Sequence, residues 1–341
     1  MGIYMKTLVI GMGCIGGTVA CLAKEKGFDV DVVAHGEEKA KDIRENGFHL
    51  SGFFGEHTVK LNAYPEVSAL KDTYDVCFIA TKFQQLPEMA EAVLPFLKDD
   101  SLVVSLQNGI CTDMLAEKVG YNRTAGCMIG FGATMVGTNR VDVTSGGEFY
   151  IGMPKGNNKN LEYAKNFLSA TLPTQISNDI VGRMYSKLII NSCINSISGI
   201  TGKPLGEVVE DRTACAIFLK IAREGMAVAK KMGIKVPKYG KLLEYRMLNL
   251  ADNAVYNFIC ENVVIMVSKA KYKSVRPSTL QALEKGLKTE IDIMNGLISE
   301  FGKEYSVPTP VNDKLTKMIK EIENGDRKIT PENLKEMKEV L

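Results

Sequence analysis

A lysine and two asparagines stand at equal intervals in the largely apolar segment YSKLIINSCINSISGI, residues 185–200. Lys187, Asn191 and Asn195 are four residues apart, so on a helix they share one face. A lysine in this setting can protonate a carbonyl oxygen that is being reduced, and amides beside it can orient a substrate. The pattern also suits a lysine whose ammonium reaches solvent beside two amides that serve helix packing.

A second group of candidates lies late in the chain, in the segment RPSTLQALEKGLKTEIDIMNG. The pattern predicts one amphipathic helix over residues 278–303, which contains Ser278 and Glu290. Glu290 is a candidate by its chemistry, although a glutamate on a helix usually faces solvent. Ser278 and Gln281 also fit a capping box, in which the serine accepts from a first-turn amide and the glutamine reaches back.

A glycine-rich loop near the start of the chain follows the apolar run KTLVI. In its GxGxxG pattern the first glycine makes a tight turn and the second admits a pyrophosphate to the backbone. The third lets the following helix pack closely on the strand, and the amides at the start of that helix face the phosphates. We predict that a dinucleotide binds here, with a plain strand–helix turn as the alternative. The loop residues are Gly11, Met12, Gly13, Cys14, Ile15 and Gly16.

The residues after the second predicted strand bear on the choice of cofactor. NAD enzymes usually place an acid at this strand end to bind the ribose hydroxyls. Here the strand ends in Ala34 and His35, and the first acids come later in the segment HGEEK. His35, Lys39 and Lys41 could meet a 2′-phosphate or could be solvated loop residues. The sequence therefore favours NADP (NADPH) over NAD.

Two further candidates follow strand-like runs in the first half of the chain. Lys82 ends CFIATK, and Asn108 stands in LQNGI. Because ligands of open α/β sheets bind beyond the carboxyl ends of the strands, both residues could contact cofactor or substrate. A solvated lysine and a simple Asn-Gly turn are the alternatives.

These candidates require two kinds of architecture to position them. The first half alternates strand-like and helical runs, including DVDVVAH, HTVKLNAY, YDVCFIAT, SLVVSLQ and TAGCMIGFGATM, with EFYIG as a late edge strand. This alternation predicts a mostly parallel sheet with βαβ units. Long helical patterns then follow, at 180–200, 211–233, about 240–270, 278–303 and 309–323. We predict a Rossmann domain over residues 1–178 and a helical substrate and dimerisation domain over residues 179–341.

Composition limits the classes of partner. A hydrophobic fraction of 45% and a charged fraction of 24% are typical of a soluble globular protein, and a net charge of +2 argues against nucleic-acid or membrane binding. The 8 cysteines form no CxxC pair and mostly lie in apolar runs, which indicates a reducing, cytoplasmic setting. The 3 histidines are not at ligand spacing, so we expect no metal site.

Taken together, these motifs resemble the ketopantoate reductase (2-dehydropantoate 2-reductase) family over nearly the whole chain. The resemblance runs from GMGCIGG through ATK, LQNG and GGEFYIG to the Lys-x3-Asn-x3-Asn helix and the late TEID…NG segment. His35 stands where the family usually has an arginine, and the segment from about 212 to 275 matches little. The resemblance implies an α/β Rossmann domain joined to an all-α domain of the 6-phosphogluconate dehydrogenase-like kind, and a homodimer.

The resemblance also implies roles for the candidates. Lys187 would be the general acid in an NADPH-dependent reduction of a 2-keto acid, and Glu290 would hold a substrate hydroxyl or an ordered water. The remaining substrate-binding candidates would be Asn108, Asn191, Asn195 and Ser278. The expected pathway is pantothenate and coenzyme A biosynthesis. The alternatives are a D-2-hydroxyacid dehydrogenase that acts on another branched 2-keto acid, and a non-catalytic NAD(P)H-sensing protein.

Overall fold

The computed structural model describes residues 5–239, 244–248, 251, 253–272 and 276–341. The chain divides into two compact units, of which the first ends at Met184 and the second begins at Tyr185. We call them the N-terminal and C-terminal units. The first holds a largely parallel sheet with helices and the second is built of helices, which confirms the predicted fold class. Among the described residues, no helix is both long and apolar enough to span a membrane.

The main sheet of the N-terminal unit has eight strands in the order β12-β11-β8-β7-β6-β1-β2-β5. From β5 to β8 this is the 3-2-1-4-5-6 order of a dinucleotide-binding fold, with its reversal between β1 and β6. The strands of the unit are β1 Thr7–Ile10, β2 Val30–Val33, β3 Phe48–Gly52, β4 His57–Val59, β5 Asn62–Tyr64, β6 Tyr74–Ile79, β7 Leu97–Ser105, β8 Thr124–Met128, β9 Gly132–Gly137, β10 Arg140–Ser145, β11 Phe149–Gly152 and β12 Thr174–Ile176.

A second sheet, in the order β4-β3-β10-β9, was not predicted. It takes strands from two runs that the sequence presented as continuous: HTVKLNAY is β4 and β5, and TAGCMIGFGATM is β8 and β9. The second run breaks at Gly130, where a Cβ would lie 2.0 Å from the carbonyl oxygen of Glu148. The prediction of EFYIG as an edge strand was wrong, because β11 lies between β8 and β12.

Five helices accompany these sheets: α1 Cys14–Glu25, α2 Glu37–Glu45, α3 Leu86–Ala92, α4 Thr112–Val119 and α5 Leu161–Ser169. Helix α1 contacts both sheets through adjacent glycines. Gly16 meets the loop after β1, where a Cβ on it would lie 2.1 Å from the carbonyl oxygen of Gly11. Gly17 receives the ring of Phe48 from β3, 2.2 Å from where its Cβ would be. Larger residues would therefore separate α1 from one sheet or the other.

The C-terminal unit consists of α6 Ile180–Thr201 from Tyr185 onward and the helices after it. These are α7 Leu205–Val208, α8 Arg212–Lys231, α9 Tyr245–Leu248, α10 Ala254–Tyr272, α11 Ser278–Glu284, α12 Asn295–Glu304, α13 Pro310–Glu323 and α14 Asn333–Met337. The helices predicted at 180–200, 211–233 and 309–323 are confirmed. The one predicted at about 240–270 lies partly outside the described residues, which include α9 and α10 there.

The single helix predicted over residues 278–303 was wrong. Helix α11 ends at Glu284, and Gly286 follows with a φ of 65°, a left-handed conformation that glycine adopts easily. The amide of Leu287 donates to the carbonyl oxygen of Ala282 at 2.9 Å, which closes the helix end. A short 3₁₀ turn, Ile291–Ile293, then precedes α12. Glu290 therefore lies just before this turn and not within a helix.

Candidate active site

The predicted cofactor residues of the N-terminal unit follow one row across the main sheet. In the strand register Ile10 pairs with Val33 and with Ile79, and Ile79 pairs with Ser105. These four are the last residues of β2, β1, β6 and β7, and all three pairings are parallel. The glycine loop begins at the residue after β1, and the other candidates lie two or three residues beyond the ends of β2, β6 and β7: His35, Lys82 and Asn108. The fold thus brings these residues to one sheet edge, at the strand-order reversal where dinucleotides bind.

The glycines of the loop build a cradle for phosphates. Gly11 has a φ of 101°, and a Cβ on it would lie 2.9 Å from backbone atoms of Ala80 and Thr81. Gly13 has open space instead, since no atom of the described residues lies within 4 Å of its Cβ position. It directly precedes α1 and gives that helix no side-chain cap. The open space beside first-turn amides fits a pyrophosphate group.

The side chains between these glycines belong to the protein interior. Met12 is buried, and Cys14 and Ile15 are half-buried against the core of the unit. The hydroxyl of Thr18 donates to the carbonyl oxygen of Cys14 at 2.7 Å. The loop therefore offers a ligand its backbone more than its side chains.

The segment after β2 carries the residues relevant to cofactor choice. His35 is exposed and lies just before α2. Lys39 is half-buried, and its Nζ donates to the carbonyl oxygen of Met12 at 2.7 Å, so this side chain reaches back to the glycine loop. Burial lowers the pKa of the Lys39 ammonium, with a smaller opposing effect from the Cys14 thiol.

Beyond β6 and β7, Lys82 is exposed and Asn108 is half-buried, followed by Gly109 with a φ of 86°. Gln107, beside them, was not among the residues predicted from the sequence. Gln107 is 6% exposed; its Oε1 accepts a hydrogen bond from the Ser105 hydroxyl, and its Nε2 has no partner among the described residues. Its only sequence signal was its place two residues after a buried strand.

In the C-terminal unit, α6 presents its polar residues from within a buried surface. Lys187 and Asn191 are half-buried, and the residues between them are buried apolar side chains. Asn195, one turn further, is 6% exposed, and its Nδ2 donates to the carbonyl oxygen of Asn191 at 3.0 Å. The face that Lys187, Asn191 and Asn195 share is thus partly enclosed. Such a position fits a lysine whose ammonium acts where contact with water is reduced.

Asn195 also joins α6 to α11. Its Oδ1 accepts hydrogen bonds from the Ser278 hydroxyl at 3.0 Å and from the Thr279 amide at 3.2 Å. Asn195 thereby satisfies a first-turn amide of α11 from another helix. The capping-box alternative for Ser278 was wrong, because Pro277 holds the cap position and Gln281 donates to the carbonyl oxygen of Arg276 at 2.7 Å. The structure brings together Asn191, Asn195 and Ser278.

The polar residues around Glu290 attach its segment to α13. The amide and hydroxyl of Thr289 both donate to Oε1 of Glu323, at 2.7 and 2.6 Å. The amide group of Asn295 donates to Asn312 Oδ1 at 2.9 Å. Glu290 itself is exposed, at the start of the 3₁₀ turn. The segment is therefore fixed on both sides of Glu290.

No group of three or more His, Cys, Asp or Glu side chains could hold a metal ion in the ranges that the structure describes. None of the 8 cysteines, which all lie in the described ranges, forms a disulfide, and all but Cys14 are buried, as expected for small apolar side chains. What the arrangement offers is a dinucleotide cradle in one unit and a partly enclosed lysine with amides in the other.

Comparison with known families accounts for both units. The model of the family described as "Ketopantoate reductase PanE/ApbA" matches residues 7–156, and its C-terminal counterpart matches residues 179–323. The chain belongs to the ketopantoate reductase family. Among curated members, 2-dehydropantoate 2-reductases from Aquifex aeolicus and Pyrococcus horikoshii are each 27% identical. Each alignment covers 93% of this chain, and 96% and 97% of the two relatives.

Solved structures show the same fold. A PanE/ApbA family ketopantoate reductase from Ralstonia eutropha JMP134 is 25% identical with a TM-score of 0.79, over 94% of this chain and 99% of that one. D-mandelate dehydrogenase, solved with NADH, is 24% identical with a TM-score of 0.77, over 95% of this chain and 100% of that one. The shared architecture thus extends to a dehydrogenase whose name gives a different substrate.

Proposed function

We propose that this chain is an NADPH-dependent 2-dehydropantoate 2-reductase, which reduces ketopantoate to D-pantoate in pantothenate and coenzyme A biosynthesis. The observation that carries the proposal is the match to proteins of that name over 93% of the chain. The cradle at Gly13 and the lysine helix α6 support it, because a keto-acid reductase needs a dinucleotide site and a proton donor.

Lys187 is the proposed general acid. A bound NADPH supplies the hydride for the keto carbon. The ammonium of Lys187 donates a proton to the keto oxygen, which becomes the 2-hydroxyl of the product. The half-buried setting of Lys187 supports this role, because partial exclusion of water strengthens the interaction of its charge with a developing alkoxide.

The neutral donors have positioning roles in this proposal. Asn108, Asn191 and Ser278 orient the keto acid and its carboxylate, and Asn195 acts mainly through Ser278, to which it is hydrogen-bonded. Glu290 accepts a hydrogen bond from the substrate hydroxyl, directly or through a water. The exposure of Glu290 to ligands, next to the firmly attached Thr289, supports that role.

The test is the initial rate of NADPH oxidation with ketopantoate, 2-ketoisovalerate and 2-ketoisocaproate. We expect a clear preference for ketopantoate and D-pantoate as the product by chiral chromatography. Lys187→Ala should lower kcat by at least ~10²-fold, as expected when a general acid is lost. Lys230→Ala, which removes an exposed lysine of the same unit, is the control and should leave kcat unchanged.

Two results would replace the proposal with an alternative. Faster turnover of the unhydroxylated keto acids would indicate a D-2-hydroxyacid dehydrogenase and leave Glu290 without its role. Tight binding of NADPH with no turnover of any keto acid would indicate an NAD(P)H-sensing protein.

We also propose a homodimer in which α10 contributes to the interface. Helix α10 exposes apolar side chains at spacings that place them on one face, a pattern that supports contact with a second copy of the chain. They are Val255, Phe258, Ile259, Val263 and Met266.

A further inference from the structure

The three basic side chains after β2 occupy different settings. Lys41 is 62% exposed, and its Nζ lies 3.9 Å from a carboxylate oxygen of Glu45 on the same helix. His35 is exposed in the turn before α2. Only Lys39 of the three makes a hydrogen bond to the glycine loop, where its Nζ lies 2.7 Å from the carbonyl oxygen of Met12. Lys39 is therefore the cation held between the ends of β1 and β2.

That location is where dinucleotide-binding folds discriminate between the two cofactors. The adenosine ribose lies at the end of the second strand, and its 2′ substituent meets the residues that follow. An ammonium has three N–H donors, and the carbonyl oxygen of Met12 occupies one. The others can donate to a phosphate oxygen with no need to reposition the side chain.

The acid nearest the end of β2 is already engaged. Glu37, in the first turn of α2, accepts a hydrogen bond from Nη2 of Arg44 at 2.5 Å, and Nη1 of Arg44 donates to the carbonyl oxygen of Ala63 at 2.5 Å. This ion pair places a cation beside the exposed carboxylate of Glu37 and so offsets part of the charge that would repel a phosphate. Glu38 beside it is exposed. The half-buried charge at this strand end is therefore positive.

We infer that Lys39 binds the 2′-phosphate of NADPH and is the residue that selects NADPH over NADH. The inference rests on the dinucleotide use in the proposed function. The competing possibility is that Lys39 only supports the loop through Met12, in which case its loss would affect both cofactors equally. Lys39→Gln separates the two, because the glutamine amide can still donate a hydrogen bond but carries no charge.

The experiment is isothermal titration calorimetry of NADPH, NADH, 2′,5′-ADP and 5′-AMP against the wild type, Lys39→Gln, Lys39→Met and the matched control Lys41→Gln. We expect Lys39→Gln to weaken binding of NADPH and 2′,5′-ADP by ~10- to 100-fold, the range of a charged hydrogen bond. NADH and 5′-AMP should change by less than ~3-fold, within the ordinary scatter of a surface substitution. Lys41→Gln should leave all four affinities unchanged.

Equal weakening of NADPH and NADH in both Lys39 variants would overturn the inference, as would an effect of Lys41→Gln as large as that of Lys39→Gln. Far-UV circular dichroism checks that each variant is folded, and Lys39→Arg provides a second test because it should keep the NADPH preference. A wild type that binds NADH at least as tightly as NADPH would overturn the cofactor part of the proposed function. Loss of discrimination only in the Lys39→Gln and Lys39→Met variants would support the inference.

Discussion

Replacement of Asn195 by alanine tests whether this residue mainly joins two helices or mainly binds substrate. The change removes an acceptor for the Ser278 hydroxyl, an acceptor for the Thr279 amide and a donor to the carbonyl oxygen of Asn191. A buried hydrogen bond contributes roughly 0.5–1.5 kcal/mol net, and a buried donor left without a partner costs about 1–3 kcal/mol. Since Thr279 is buried, we expect the free energy of unfolding to fall by about 2–4 kcal/mol.

Two further variants divide this effect among the three bonds. Ser278→Ala removes one bond at an exposed side chain and should cost no more than about 1 kcal/mol. Asn195→Asp keeps the acceptor for Ser278 and Thr279 but replaces the donor to Asn191 by a carboxylate oxygen that repels the Asn191 carbonyl oxygen, so it tests the donor separately from the acceptors. Urea unfolding followed by circular dichroism at 222 nm measures all three, because helices dominate that signal and the C-terminal unit is helical.

The kinetic readout makes the test decisive. If Asn195 acts through Ser278, Asn195→Ala and Ser278→Ala should raise KM by similar factors although their stabilities differ. An Asn195→Ala variant whose unfolding free energy stays within ~0.5 kcal/mol of the wild type would refute the reasoning, since that range is ordinary for a surface substitution. Such a result combined with a large rise in KM would make Asn195 a direct substrate ligand.

Two remaining predictions concern packing and assembly. Gly17→Ala should lower the free energy of unfolding by about 1–3 kcal/mol in urea, because the new Cβ would overlap the ring of Phe48. The control Gly13→Ala should leave the free energy of unfolding unchanged, and equal effects of the two variants would contradict the packing argument. Light scattering of the wild-type protein should give twice the 37.4 kDa mass of one chain. Replacement of Phe258 and Met266 by glutamate should reduce the mass to that of one chain. A wild-type mass of 37.4 kDa would exclude the dimer under those conditions.

The dinucleotide site could be predicted from the sequence because its determinants are local. The glycine pattern, the strand before it and the helix after it lie within residues 6–25. Parallel pairing then places Lys82 and Asn108 at the same edge without further information. The second sheet could not be predicted in this way, because alternation within a strand does not indicate which sheet it joins. The break at Gly130 depends on a backbone contact with Glu148, a residue distant in sequence.

The helical half shows the same division between local and distant determinants. The face shared by Lys187, Asn191 and Asn195 follows from their spacing alone. The bond from Ser278 to Asn195 joins residues 83 positions apart, so a local capping box was the natural but wrong reading of Ser-x-x-Gln. Likewise, apolar periodicity continued across Gly286 and concealed the end of α11, which depends on a left-handed backbone conformation.

Polar residues of the late TEID…NG segment attach it to the helix α13. Thr289 bonds to Glu323 and Asn295 bonds to Asn312, both on α13, and these contacts hold the segment at two points. Glu290 lies between those points and is exposed, before a 3₁₀ turn that a continuous helix would not contain. A carboxylate positioned by such a short, doubly attached segment has little conformational freedom to lose when a ligand binds. The break that the periodicity concealed is therefore compatible with the role that we propose for Glu290.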